Sequence, residues 1–275
     1  MNRPYLIFAP QYTLLSGGVR ILHTLCHWLN EAGEKAWLAP PTAGYYRTNP
    51  NLNAQILTQE TQEFYMSEGI DPIFVYPDIV KGNPCQAKRV VRYLLAKPGD
   101  FGGETNFPET DIIWSLSGNI AANTRSPGNV LCIPVTDTTI FTPGAVPRKG
   151  ACFFSNKYDR IHGHQLLPIT NGAVRLSGYA HEMAAIMQAS EICYVYENSL
   201  ASIEAPLCGC PTVLVKTDYF FESWLHGEYG WAGVRWSDQD IAREPINKSF
   251  ENYEKMENDA IGTDLHRFIT ETQDG

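Results

Sequence analysis

Short apolar runs alternate with amphipathic segments along much of the chain. Residues 5–9 form an apolar run that predicts a buried strand, and residues 19–32 carry apolar side chains at helical spacing. Gly33 ends this helix, and residues 35–39 predict a second strand. A strand, a glycine-containing turn, a helix and a strand in this order predict a parallel βαβ unit.

The same two patterns continue through the rest of the chain. Further strands are predicted at residues 72–76, 111–114, 130–135, 151–154, 192–196 and 212–215, and helices at residues 86–95, 180–188, 202–207, 250–260 and 264–272. The helix predicted at 86–95 has a basic face with Lys88, Arg89 and Arg92. This face could meet an anionic acceptor or a membrane surface, but a solvated helix face is favoured. The alternation of strands and helices predicts the α/β class, with two small halves.

A turn-rich segment separates the two halves. Residues 142–150 are rich in proline and glycine and show no periodicity, which is typical of a domain boundary. We therefore expect an N-terminal Rossmann-like domain at residues 1–143 and a second one at 144–245. Residues 246–275 are expected to form a helical tail that packs back on the first domain.

The composition excludes some classes of function. A hydrophobic fraction of 44% is enough for a buried core, and the net charge is −9. The acidic excess lies after residue 149, where eighteen acidic residues accompany nine basic ones. We expect no binding to nucleic acid, because phosphate contacts need a basic surface. The sequence has no apolar run of membrane-spanning length, so we expect a soluble, cytoplasmic protein.

The seven cysteines follow no metal or disulfide spacing. Cys208 and Cys210 have one residue between them, too close for a CxxC motif, and the other cysteines lie mainly in apolar segments. This pattern indicates reduced, buried thiols. Two pairs of closely spaced histidines lack a third ligand, so we predict structural roles for them and no metal site.

Two acidic residues flank a short polar loop in the second half. Glu197 ends a predicted strand, and Glu204 lies near the start of the next predicted helix. Between them, Asn198, Ser199 and Leu200 can present backbone amides to an anion. Because α/β proteins bind nucleotides at the carboxyl ends of parallel strands, the segment predicts a nucleotide site.

Three segments together resemble the GT-B glycosyltransferases of family 4. Residues 16–20, Ser-Gly-Gly-Val-Arg, resemble the N-terminal glycine turn of that family. Residues 134–143, with an Asp followed shortly by Phe-x-Pro, resemble its interdomain signature. Residues 197–211, with two glutamates and a Cys-Gly-x-Pro turn, resemble its nucleotide-binding motif. The resemblance implies a compact GT-B fold, in which two Rossmann-like α/β domains face a cleft.

The resemblance also implies an activity. It predicts a hexosyltransferase-like enzyme that moves a sugar from a nucleoside-diphosphate-sugar donor to a glycan or glycolipid acceptor, with retention and without a metal ion or a cofactor. The usual setting of such enzymes is the assembly of bacterial polysaccharides or glycolipids, which allows peripheral association with the inner face of the membrane.

Individual residues acquire roles by the same resemblance. Glu204 would accept hydrogen bonds from the ribose hydroxyls and Glu197 would face the donor sugar, while Lys157 would neutralise the diphosphate. Arg160 is the nearest candidate for a second cation. The glycine pair Gly17 and Gly18 would let the backbone approach the donor phosphate or the acceptor.

Two alternatives stay open at the level of the sequence. Glu197 and Glu204 are one residue closer than the family's spacing, residues 198–200 replace its Gly-Phe-Gly, and the chain is short. These departures are compatible with a non-catalytic GT-B-like protein that binds a nucleotide or glycan. An NAD-dependent oxidoreductase is disfavoured, because the first βαβ unit lacks the full G-x-G-x-x-G and no acidic residue ends its second strand.

Overall fold

The computed structural model describes residues 2–42, 44–224, 226–238 and 244–274. It divides into two compact units. Unit 1 consists of Met1–Val135 and Glu257–Gly275, and unit 2 consists of Thr136–Met256. The sequence placed the first division at residues 143/144 and the start of the tail at residue 246.

The elements of both units follow one another as short strands and helices. The strands are β1 (Tyr5–Phe8), β2 (Ala36–Ala39), β3 (Gln55–Ile56), β4 (Ile73–Pro77), β5 (Arg89–Leu94), β6 (Ile112–Ser115), β7 (Ala151–Phe154), β8 (Val174–Arg175), β9 (Ile192–Val195), β10 (Thr212–Leu214) and β11 (Val234–Trp236). The helices are α1 (Gly17–Glu31), α2 (Gln59–Ser67), α3 (Gly118–Ala121), α4 (Lys157–His162), α5 (Ala180–Ala189), α6 (Ala201–Leu207), α7 (His226–Tyr229), α8 (Ser249–Asp259) and α9 (Leu265–Gln273).

Each unit is built on a parallel sheet. In unit 1 the strand order among the described residues is β3-β2-β1-β4-β5-β6, and in unit 2 it is β11-β10-β9-β7-β8. The direction of winding reverses between β1 and β4 in unit 1 and between β7 and β9 in unit 2. Each sheet therefore has a topological switch point, where α/β folds bind ligands at the carboxyl ends of the strands.

The first βαβ unit forms as the sequence predicts. Ser16 caps α1, since its Oγ accepts the amide of Val19 at 3.4 Å. Gly18 lies in the first turn of α1, where an added Cβ would come within 3.2 Å of the Leu95 side chain. The small residue thus allows the helix to start close to the sheet.

The helix predicted at residues 86–95 is wrong, because these residues contain β5, an interior strand of unit 1. Arg92 is fully buried rather than solvated. Its Nε lies 2.7 Å from Asp111 Oδ2, and its terminal nitrogens donate to the carbonyls of Val80 and Gly82 at 2.9 and 2.5 Å. An arginine can be buried when its charge and its donors have partners. In the sequence, Arg92 was mistaken for part of the polar face of a helix.

Several other predictions needed correction at short elements. The predicted strand at residues 130–135 is reduced to an isolated bridge between Ser115 and Val130. The strands β3 and β8 have two residues each and β11 has three, which is too short for a periodic signal. The helix α2 was missed because it is mostly polar and buries only Tyr65.

The last helix packs on unit 1. Phe268 is fully buried, and its ring lies 5.2 Å from that of Trp114 and 6.0 Å from that of Tyr5. The Thr272 hydroxyl lies 2.6 Å from the Tyr5 hydroxyl. In the described part of the chain, no helix combines the length and the apolar character needed to cross a bilayer.

Candidate functional site

The candidate site residues of the second half meet at one edge of the unit 2 sheet. Lys157 begins α4 directly after β7, and residues 197–200 follow β9. Glu204 lies in the first turn of α6. Because β7 and β9 are parallel neighbours, both segments leave the sheet at its carboxyl edge, at the switch point of unit 2.

Glu197 bridges the two sides of this switch point. Its side chain is buried, and Oε2 accepts the backbone amides of Asn156, Lys157 and Tyr158 at 3.0, 2.6 and 2.9 Å. These residues form the N-terminal end of α4. The carboxylate therefore satisfies helix amides that have no partner within the helix.

The loop after Glu197 is fixed by its own side chains. Asn198 donates from Nδ2 to the Glu222 carbonyl at 3.2 Å and accepts the Trp224 amide on Oδ1 at 3.0 Å. Ser199 Oγ accepts the amide of Ala201, the first residue of α6, at 3.2 Å. Within the ranges that the structure describes, the backbone amides of residues 198–200 donate to no protein acceptor. The loop can therefore offer three amide donors to an anion.

The remaining candidates have different surroundings. Glu204 is buried, with 2% of its surface exposed, and Lys157 is half-buried. Arg160 is exposed and lies in the last turn of α4, so the structure separates it from the amide end of the helix. Gly17 and Gly18 open α1 in unit 1, directly after the loop that follows β1. The predicted residues thus belong to two units.

A charged cluster around Asp159, two residues after Lys157, was not predicted from the sequence. Arg175, at the end of β8, forms an ion pair with the buried Asp159 and donates to the Ser155 carbonyl. Asp159 also accepts the Ser155 hydroxyl at 2.5 Å and lies 3.2 Å from His164. Burial alone would raise the pKa of Asp159, but the hydrogen bonds from Ser155, Arg175 and His164 outweigh it and lower the pKa. A two-residue strand gives no signal from which Arg175 could have been found.

Several polar groups outside the candidate site also have structural partners. Arg20 is buried and donates to the Val135 carbonyl at 2.6 Å, inside unit 1. His23 is buried in the same unit beside the carbonyl of Pro10. One Asp-x-Asp pattern occurs, at Asp238 and Asp240; the first of these pairs with Lys216 at 2.7 Å, and the second lies outside the described residues.

No protein-family model matches the chain, and no curated protein matches it either. Several solved structures match it. The glycosyltransferase WaaG, involved in lipopolysaccharide biosynthesis, matches with a TM-score of 0.52 and 9% identity, over 98% of each chain. SnogD, a glycosyltransferase from Streptomyces nogalater, matches with a TM-score of 0.50 and 12% identity, over 99% of this chain and 100% of the other. The catalytic domain of starch synthase IV from Arabidopsis thaliana, bound to ADP and acarbose, matches with a TM-score of 0.50 and 10% identity, over the whole of both chains.

The chain has the GT-B glycosyltransferase fold. Its two parallel-sheet α/β units and the match over whole chains confirm the predicted fold class. At these identities the likeness concerns the fold alone, and the assignment to family 4 stays a prediction.

A buried histidine supports the loop at the candidate site. His226 is fully buried, with Nδ1 2.9 Å from the Gly230 carbonyl and Nε2 3.2 Å from the Ser202 hydroxyl. The Ser202 hydroxyl also lies 2.7 Å from the Ser199 carbonyl. Burial lowers the pKa of His226 to about 4, and the hydrogen bond to Gly230 opposes only part of that shift. The folded protein therefore favours the neutral imidazole.

We expect this histidine to make the protein less stable in acid. The unfolded imidazole has a pKa of about 6.5, so the stabilisation is complete above that pH and is lost as the pH falls towards 4. The total loss is about 3 kcal/mol in the free energy of unfolding. Urea denaturation of the wild type and of His226→Gln between pH 7 and pH 4 measures it. If the free energy of unfolding falls with pH as steeply in His226→Gln as in the wild type, the prediction is contradicted.

Proposed function

We propose that the chain is a glycosyltransferase that uses a nucleoside-diphosphate sugar as its donor. The observation that carries the proposal lies at the switch point of unit 2, where Glu197 joins the backbone of Lys157 to the loop of residues 198–200, and Glu204 follows in the first turn of α6. These groups come from segments about forty residues apart and supply the chemistry that a nucleotide requires. The GT-B fold supports the same proposal.

Each group has a role that its position favours. The amides of residues 198–200 and the ammonium of Lys157 would hold the diphosphate and stabilise it as a leaving group. Glu204, in the first turn of α6, would accept the ribose hydroxyls. The guanidinium of Arg175 is half-exposed but paired with Asp159, and Arg160 lies in the last turn of α4, so Lys157 is the cation that we assign to the diphosphate.

We extend the proposal to the reaction on the basis of the sequence resemblance. The acceptor is a glycan or glycolipid, the transfer retains the anomeric configuration, and the protein's own dipoles and cations stabilise the leaving diphosphate without a metal ion. Gly17 and Gly18 in unit 1 would allow close approach of the donor phosphate or the acceptor.

The test is a panel of nucleotides followed by an activity assay. We expect at least one of UDP, GDP, ADP, CDP and dTDP to raise the melting temperature, because a ligand that binds only the folded state stabilises it. The corresponding nucleotide sugar should then be hydrolysed or transferred above background. Binding without turnover would favour the non-catalytic alternative, and stabilisation by NAD alone would contradict the proposal.

A further inference from the structure

The Glu197 side chain, which follows β9, takes the place of the usual N-cap side chain of α4. The N-cap residue of α4 is Asn156, a residue type that usually caps a helix with its own side chain, but it makes no such hydrogen bond here. The amides of Asn156, Lys157 and Tyr158 all donate to Glu197 Oε2 instead. Charge-assisted hydrogen bonds of this kind, with 3% of the residue exposed, hold both partners firmly.

The position of this carboxylate couples two parts of the proposed donor site. One of its three donors is the backbone of Lys157, 40 residues earlier in the chain. The residue after Glu197 is Asn198, the first of the three residues whose amides are available to an anion. Glu197 therefore fixes the lysine backbone on one side of the switch point relative to the amides on the other side.

Because of the same contacts, the N-terminal amides of α4 cannot serve as a phosphate site. An anion that approached its first amides would have to displace a buried carboxylate that already accepts all three. The amides of residues 198–200, on the other side of the switch point, have no acceptor among the described residues. The donor phosphates are thus directed to the β9–α6 side of the switch point.

We propose that Glu197 is a positioning residue, which holds Lys157 and the amides of residues 198–200 at the spacing of a diphosphate instead of contacting the donor sugar. The proposal rests on the proposed function, since it concerns the same site. It changes what the glutamate is expected to do: its substitution should affect the nucleotide and the nucleotide sugar alike.

Calorimetric titrations of Glu197→Gln and Glu197→Ala separate the two roles. UDP, GDP and ADP are each compared with UDP-glucose, GDP-glucose and ADP-glucose, at a temperature where circular dichroism shows the variants to be folded. For the nucleoside diphosphate that binds and for its glucose conjugate, we expect the same fall in affinity, about tenfold. This corresponds to one misplaced charge-assisted contact. A loss confined to the sugar conjugate would overturn the proposal in favour of a sugar contact. Unchanged binding of both would overturn it in favour of a role in stability alone.

Chemical rescue tests the positioning itself without any nucleotide. Formate is small enough to take the place of the removed carboxylate in Glu197→Ala, and we expect it to raise the melting temperature and to slow hydrogen exchange at residues 156–158. Glu191→Ala is the matched control, because Glu191 accepts the Gly150 amide at 3.1 Å at the opposite end of the same strand pair but is exposed. An equal effect of formate on both variants would overturn the proposal. Failure of every nucleotide to bind the wild type would refute the proposed function, and this rescue would still report on Glu197.

Discussion

Replacement of Arg92 by alanine is expected to lower the free energy of unfolding by about 3–5 kcal/mol, as is usual when one member of a buried ion pair is removed. The guanidinium is fully buried in β5 and is paired with Asp111 at 2.7 Å. It also donates to the carbonyls of Val80 and Gly82 and lies 5.3 Å from the Tyr76 ring centroid. Without it, the Asp111 carboxylate and two carbonyls lose their partner inside the protein.

Urea denaturation measures this effect, and the chain offers a matched control. Lys88 lies just before β5 and pairs with Asp71 at 3.0 Å, but its side chain is 77% exposed. Lys88→Ala should therefore cost only about 0–1 kcal/mol. The double variant Arg92→Met, Asp111→Leu should be less destabilised than Arg92→Ala, because no charge is left buried. Equal losses for Arg92→Ala and Lys88→Ala would contradict the structural role of this pair.

The parts of the fold that the sequence predicted well are those with a strong local signal. The strand β7 has the predicted bounds, and α1 has an apolar face, a serine cap and a terminating glycine. The strand β5 failed because a central strand is buried on both faces, so its apolar residues do not alternate. The position of Arg92 among these apolar residues resembled the spacing of a helix. Its burial is explained by its ion pair with Asp111, which lies 19 residues later in the chain.

The candidate site was predictable in its location but not in its contacts. The predicted strand ends and the family resemblance assigned Lys157, Glu197 and Glu204 to one site, and the parallel neighbours β7 and β9 do share a carboxyl edge. The partners of Glu197 lie about forty residues away, in a turn whose geometry depends on tertiary packing. Arg175 was missed for the same reason, because its ion pair with Asp159 connects two elements that the sequence does not relate.

The role of Glu204 makes the second large prediction. Its side chain is buried in the first turn of α6, the helix that begins directly after residues 198–200. If it accepts the ribose hydroxyls, Glu204→Ala should weaken nucleoside-diphosphate binding by about a hundredfold, or about 2–3 kcal/mol for charge-assisted hydrogen bonds. Glu204→Gln keeps the size of the side chain and one acceptor oxygen, so we expect a smaller loss of about tenfold.

A calorimetric titration of these two variants and the wild type tests the proposed donor site most directly. The ligand is the nucleoside diphosphate that binds tightest among UDP, GDP, ADP, CDP and dTDP, and Glu191→Ala serves as the control at the opposite edge of the same sheet. We predict that affinity falls in the order wild type, Glu204→Gln and Glu204→Ala, with Glu191→Ala equal to the wild type. If folded Glu204→Gln and Glu204→Ala bind the nucleotide as tightly as the wild type does, the donor site is not where this account places it.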